Sequence, residues 1–314
     1  MKKAVLVAII LGSSLLVLGG AAVGIGVALG SKSKFVTNEV ALAEFQNIDA
    51  KLVTSDFEVV PSSDGERKIV LYEEEKYPHT VEVKDNCLYL AMEETRPWYD
   101  FTFPWLWKAP KATLYLPTGD YGQLNFNSTT GNAVVPNGYS FDSASLNLTT
   151  GNVEFSSSVD ALLSITTTTG KISVRNTQCG AATLNVSTGN ISLNEVEVSG
   201  AIKVNKTTGN IDCNRVEGES FTAESTTGNL LFTDSVIANH LAAKTSTGNI
   251  EFVRSDADTL SLRTTTGNIG GSLLASKIFS VSTGTGKVDV PTSVTGGLCE
   301  ARTETGNIHF TVVS

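Results

Sequence analysis

Apolar and polar residues alternate with a period of two through most of this chain, and the alternation itself recurs. A Thr-Gly-Asn or Thr-Gly-Lys triplet places glycine at Gly131, Gly151, Gly170, Gly189, Gly209, Gly228, Gly248, Gly267, Gly286 and Gly306, always 19 or 20 residues apart. Counted from each glycine, apolar residues favour offsets −7, −5, +2 and +4. Examples are Ala182, Leu184, Ile191 and Leu193, then Leu241, Ala243, Ile250 and Phe252, then Cys299, Ala301, Ile308 and Phe310. A period of two predicts strands with one buried face, and the Val, Ile, Thr and Phe content suits them. No window carries a helical period. Each copy therefore predicts a strand, a tight corner, a second strand and a looser return. Glycine supplies positive φ at the corner, and the adjacent asparagine tolerates the left-handed region. Gly-Asn also suits a hairpin turn, the alternative being a meander or sandwich. A fixed 19–20-residue period is required only where one rung stacks in register on the next. The expected fold is all-β: a β-solenoid of about ten 19–20-residue rungs over residues 121–314, about 48 Å long at the usual strand spacing. Its ten glycines should form one structural column, flanked by Thr and Asn ladders.

Two segments depart from the repeat. Residues 1–30 begin Met1-Lys2-Lys3 and continue as an uncharged apolar and small-residue run from Ala4 to Gly30. A bilayer needs roughly 20 apolar residues in helix, so this run predicts one N-terminal transmembrane helix, a signal-anchor. A cleaved signal peptide is the alternative. Residues 31–120 are more charged and predict an N-terminal β cap, because an open solenoid end needs covering. Leu52-Val53-Thr54-Ser55-Asp56-Phe57 reads as a degenerate rung. Within this region Tyr99, Phe101, Phe103, Trp105 and Trp107 alternate, with Trp98 beside them, as an aromatic insertion. Three roles suit it: a packed cover, contact with the membrane interface, or an interaction platform for a ligand such as a sugar ring.

Charge and candidate chemistry narrow the function more than they define it. The net charge of −9 argues against nucleic acid and against anionic lipid as partners. Cys87, Cys179, Cys213 and Cys299 form no C-x-x-C pair, so no zinc or redox motif is indicated, and Cys213 and Cys299 lie too many rungs apart to bridge. His79, His240 and His309 lack metal-ligand spacing. No P-loop, EF-hand or G-x-S-x-G motif occurs. Because some β-helices cleave polysaccharides, acids at offset +3 matter, but Glu154, Asp212, Glu251 and Asp289 never fall on successive rungs. No catalytic, cofactor-binding or metal-binding residue is expected, and no cofactor.

The Ser-Thr-Gly-Asn-Ile motif in tandem, as at Ser187–Ile191, carries a resemblance, together with Phe57-Glu58-Val59-Val60-Pro61-Ser62, Tyr72-Glu73-Glu74-Glu75-Lys76 and Pro97-Trp98-Tyr99-Asp100. Over residues 40–314 the chain resembles the putative-adhesin family of β-strand-repeat cell-surface proteins of Gram-positive bacteria. The resemblance implies a non-enzymatic, membrane-anchored adhesin or binding scaffold of the cell envelope, single-pass with its C-terminal domain extracellular. Its partners would be the membrane, through the N-terminal helix, and a protein or cell-wall glycan. An envelope-stress sensor or regulator binding another membrane protein is the alternative, and a carbohydrate-active β-helix enzyme is a third. The strand Asn307–Val313 alternates Ile308, Phe310 and Val312 and lacks lysine, so self-association through this C-terminal rung is also expected.

Overall fold

The computed structural model describes residues 34–92 and 109–313. The predicted transmembrane stretch and the aromatic insertion lie outside the described residues. No described helix is long and apolar enough to cross a membrane. The described residues form 24 strands joined in one sheet, wound as a β-solenoid of parallel rungs.

One rung shows the local logic. In the strand Ile191–Thr208, Ile191 and Leu193 point inward, then Val196 and Val198, then Ile202 and Val204. The first and third pairs are the repeat's own offsets. The second pair is a further inward stretch that the repeat pattern did not single out. Between the first two stretches lies a second corner. There Asn176, Glu195, Arg215, Asp234 and Arg254, each six residues past a glycine, adopt φ of 47–56°.

At the first corner all ten repeat glycines have φ between 125° and 156°, a region that side chains disfavour. They also stack. A Cβ on Gly170 would strike the carbonyl oxygen of Gly151, and one on Gly189 that of Gly170. The same contact runs from Gly131, which faces the Ser55 carbonyl, up to Gly267, which faces that of Gly248.

Beyond Gly267 the stacking order leaves the sequence order. Gly306 faces the carbonyl of Gly267, and Gly286 faces that of Gly306. The strand Gly297–Thr305 pairs with Asp256–Arg263 on one side and with Lys277–Thr285 on the other. Ile308–Val312 pairs likewise with Ile269–Leu273 and with Val288–Asp289. The last rung in sequence thus lies inside the rod, and the Gly286 rung forms its end. This corrects the expectation that Asn307–Val313 is the bare edge. Two devices allow the insertion. Gly296 and Gly297 pass where any Cβ would meet the Ser276 and Asp258 carbonyls. The step over one level is pinned by a buried ion pair, Lys277 Nζ to Asp256 Oδ1 at 2.9 Å, while Asp256 Oδ2 accepts from the Ala275 N–H.

The other end has the same exchange. Asn47–Thr54 lies between Cys87–Ala91 and Gly119–Thr130, and Asp56–Pro61 between Lys111–Leu116 and Ala133–Val135. Antiparallel strands then cover this end. Thr80–Lys84 pairs with Cys87–Ala91 across a turn in which Asp85 and Asn86 both have positive φ, the geometry of a two-residue hairpin. Lys68–Glu74 covers Lys111–Leu116, and Phe35–Ala41 covers Lys68–Glu74. The core is one continuous column of buried side chains. It includes stacked rings at Phe57–Phe126 and Phe232–Phe252, centroids 5.1 Å apart in each pair.

Candidate binding flank

The glycine corner presents an exposed face built by the repeat itself. The threonine before each glycine is exposed, and so is the residue before that: Thr129, Thr149, Thr168, Ser187, Thr207, Thr226, Ser246 and Thr265. Gly284 and Glu304 end this second column. Successive hydroxyls sit one rung apart, about 4.8 Å. Beside them runs an asparagine ladder of fixed polarity. The Asn210 backbone N–H donates to Asn190 Oδ1 at 2.9 Å, Asn229 to Asn210 at 3.1 Å, Asn249 to Asn229 at 2.8 Å and Asn268 to Asn249 at 2.8 Å. The ladder starts on Asp56, whose Oδ1 accepts from the Asn132 N–H at 2.7 Å. It continues through Asn307 to the Lys287 N–H, at 2.9 Å.

A shallow groove of about 420 Å³ follows the flank from Thr166 to Ser246. Asn185 and Asn205 line it, with Glu224 and Lys244 on the next two rungs. Asn205 Nδ2 donates to Asn185 Oδ1 at 3.0 Å. Hydroxyls, amides, Glu224 and two lysines, Lys206 and Lys244, give a surface suited to polar, hydroxyl-bearing ligands.

Behind the flank, three residues before each glycine, lies a buried column that the offset pattern missed. Where it holds threonine, the hydroxyl donates to the previous corner. Thr167 bonds the Gly151 carbonyl at 3.2 Å, Thr264 that of Gly248 at 3.0 Å and Thr303 that of Gly267 at 3.0 Å. Lys206 and Ser225 occupy two neighbouring places in this column. Both are buried, and neither Lys206 Nζ nor Ser225 Oγ has a partner. Burial pushes the Lys206 ammonium down to about 8, against a weaker upward pull from Asp212.

The predicted sites fall as follows. The ten glycines line the flank's corner. Trp98, Tyr99, Phe101, Phe103, Trp105 and Trp107 lie outside the described residues. Among the acids, Asp212 and Glu251 are separated by Leu231, and Glu154 is flanked by Val134 and Ser173. Asp289 sits on the end rung, and its Oδ2 accepts a hydrogen bond from His309 Nδ1 at 2.9 Å. No carboxylate pair meets on adjacent rungs at this offset. The described cysteines are all free. Burial pushes the Cys179 thiol up to about 11 and Cys299 to about 12.

One cluster was not foreseen. His79 lies between Glu73 Oε2, 2.7 Å from Nδ1, and Ser55 Oγ, 3.0 Å from Nε2. Asn38 Nδ2 holds the other oxygen of Glu73 at 2.6 Å. The order hydroxyl, imidazole, carboxylate is that of a nucleophilic relay, but Ser55 is only 1% exposed. An enclosed hydroxyl cannot meet a substrate, so the arrangement works as a latch. Ser55 holds the corner place that glycine holds elsewhere, and His79 ties the antiparallel cap to it. Burial lowers the His79 proton affinity more than Glu73 raises it.

Comparison with known proteins places this architecture. A putative adhesin from Parabacteroides merdae ATCC 43184 has a similar structure, with 14% identity, 77% of this chain and 97% of that chain covered, and a TM-score of 0.51. A putative adhesin from Bacteroides fragilis NCTC 9343 has 15% identity over 90% of this chain and 99% of that one, TM-score 0.44. A putative lipid binding protein from Parabacteroides distasonis ATCC 8503 has 14% identity over 89% and 98%, TM-score 0.48. No curated protein matches the chain. The profile of the Toastrack DUF4097 family matches residues 45–215. That span is more than half of the 314 residues and includes the latch, the cap strands Lys68–Glu74 and Thr80–Lys84 and the first glycine corners: the chain belongs to the Toastrack DUF4097 family.

Proposed function

We propose that this protein is a non-enzymatic binding scaffold displayed outside the cell on a single N-terminal membrane anchor. Residues 1–30 would be the anchor, 31–120 the cap region and 121–314 the recognition rod. The observation that carries the reading is the double column of exposed Thr and Ser along the glycine corner. Its hydroxyls repeat at the rung spacing on a backbone that the stacked glycines hold rigid. Such a surface loses little conformational entropy on binding an extended polar chain. A cell-wall glycan of the Gram-positive envelope fits this chemistry. The groove between Thr166 and Ser246 offers both donors and acceptors to ring hydroxyls.

The test is binding of the full chain, in detergent, to purified cell-wall glycan. Substituting Thr168→Val, Thr207→Val and Thr226→Val together removes three hydroxyls while keeping β-branched shape. Binding should fall by at least tenfold while the circular dichroism stays unchanged. Undiminished binding would remove the flank as the recognition surface.

A further inference from the structure

The two ends of the rod are built differently. At one end Thr80–Lys84, Lys68–Glu74 and Phe35–Ala41 lie antiparallel over the rungs, and their edges carry charges such as Glu82, Lys84 and Glu39. At the other, the Gly286 rung has no described strand on its outer side. Its inward positions are those of every other rung, but they are incompletely covered. Phe279, Val281 and Val290 are only half-buried, and Val288 is 46% exposed. From Ile278 to Gly286 there is no charged residue and no proline. Charged, proline-bearing or bulged edges resist pairing; the stretch Ile278–Gly286 has none of these features, and the rung's Lys287, Asp289 and Pro291 lie beyond it.

We propose that this end binds a second copy of the same chain, edge to edge about a two-fold axis. Two observations select that occupant. First, a head-to-tail neighbour would have to present its opposite end, which the antiparallel strands and their charges already close. Second, a two-fold axis makes the two edge strands antiparallel, so each copy presents the same uncharged stretch to the other. Centred on Val281, it sets Ser280 opposite Ser282 of the second copy and Phe279 opposite Thr283. The half-buried Phe279 and Val281 of both copies then close one core. No charge opposes another, although the chain as a whole carries −9. The contact is closed, so it yields a dimer and not a filament. It is independent of ligand binding on the flank.

The test is the mass of the full chain in detergent, by sedimentation and light scattering. A dimer is expected for the unaltered chain. Ser280→Lys and Ser282→Lys each place like charges across the axis at exposed positions, and each should weaken the dimer at least tenfold. Ser261→Lys changes the same column on an interior rung and should leave the dimer intact. Melting curves establish that each variant is folded. A monomer at the highest workable concentration overturns the proposal. So does a dimer that withstands both end-rung lysines, since its contact would then lie elsewhere.

Discussion

Replacing Gly189 by alanine separates the two costs hidden in the glycine column. Its φ of 146° is a region that alanine occupies with strain of about 1–3 kcal/mol. Its new Cβ would also land on the Gly170 carbonyl oxygen. That oxygen belongs to a neighbouring rung's backbone, which cannot swing aside as a side chain can. Relief means separating two rungs, at about 1–3 kcal/mol for overpacking. It also stretches the corner bonds Gly170 N–H to Thr188 O and Ile172 N–H to Asn190 O, 2.9 and 3.0 Å, each contributing about 1 kcal/mol. Gly119 supplies the control. Its φ is also 146°, but nothing lies within 4 Å of its would-be Cβ, so Gly119→Ala carries the strain alone. Gly189→Ala should therefore cost about 2–4 kcal/mol more than Gly119→Ala. With a urea slope of about 3 kcal/mol per molar, at the upper end of the usual range, the midpoints should differ by about 1 M. Urea titration by far-ultraviolet circular dichroism measures this. Equal midpoints would refute the clash and, with it, the stacking of corners at backbone contact.

Three further outcomes follow from particular residues. Lys206→Met should stabilise the fold by about 1–2 kcal/mol, after discounting for solvent screening near the corner, because it removes an unpartnered buried ammonium. The folded chain holds that proton less tightly than the unfolded chain, so the penalty is complete below pH about 8 and fades toward the free-lysine value of about 10.4. Stability should rise over that interval in the unaltered chain and rise less in Lys206→Met; parallel pH curves would contradict it. His79, whose proton affinity is lowered by burial, contributes stability that is complete above its unfolded value of about 6.5 and is lost as the pH falls below it. Protection factors of the Lys68–Glu74 amides, referred to the intrinsic exchange rate at each pH, should fall on acidification, and His79→Gln should remove that fall; an unchanged dependence would mean that another group controls the cap. Rung order is open to disulfide trapping: Ser280→Cys with Glu300→Cys, and Ser261→Cys with Glu300→Cys, sit on adjacent rungs and should form bridges. Ser261→Cys with Ser280→Cys are two levels apart, about 9.6 Å, beyond disulfide reach; a bridge there would restore sequential winding.

The parts of this fold that were legible in the sequence are those that a residue determines locally. Positive φ at the first corner demands glycine, and a stacked column demands it every 19 or 20 residues, so corners and their inward offsets could be read directly. The second corner could not, because Asn176, Glu195, Arg215, Asp234 and Arg254 share a conformation but no residue type. Their logic appears only in register, where Arg215 Nε meets Glu195 at 3.0 Å and Arg254 Nε meets Asp234 at 2.7 Å. The flank was visible as repeated threonine, whereas Lys206 and Ser225 became conspicuous only once their column proved to be buried. The latch joins Ser55, Glu73 and His79 from three separate stretches, and no spacing rule connects them.

The exchange of rungs at both ends was invisible for a different reason. Spacing fixes how long a rung is, not the side of its predecessor on which it lands, and 19 or 20 residues fit either choice. Its traces are chemical. Lys287 ends a ladder that asparagine would prolong, and Gly296–Gly297 slips between two carbonyls. Lysine alone is an ambiguous trace, since Lys171 interrupts the same ladder without ending the rod. The exchange has a mechanical consequence. The Gly286 rung is tethered at both of its ends to rungs deeper in the rod, and the Asn47–Pro61 rung is enclosed on both faces. Peeling the end rung therefore releases a closed loop and not a free strand, which gains less conformational entropy. Lys277 must also leave Asp256, uncovering a buried charge at a cost of several kcal/mol. An end that resists fraying in this way keeps its open edge ordered, and an ordered edge is what pairing with a second copy requires.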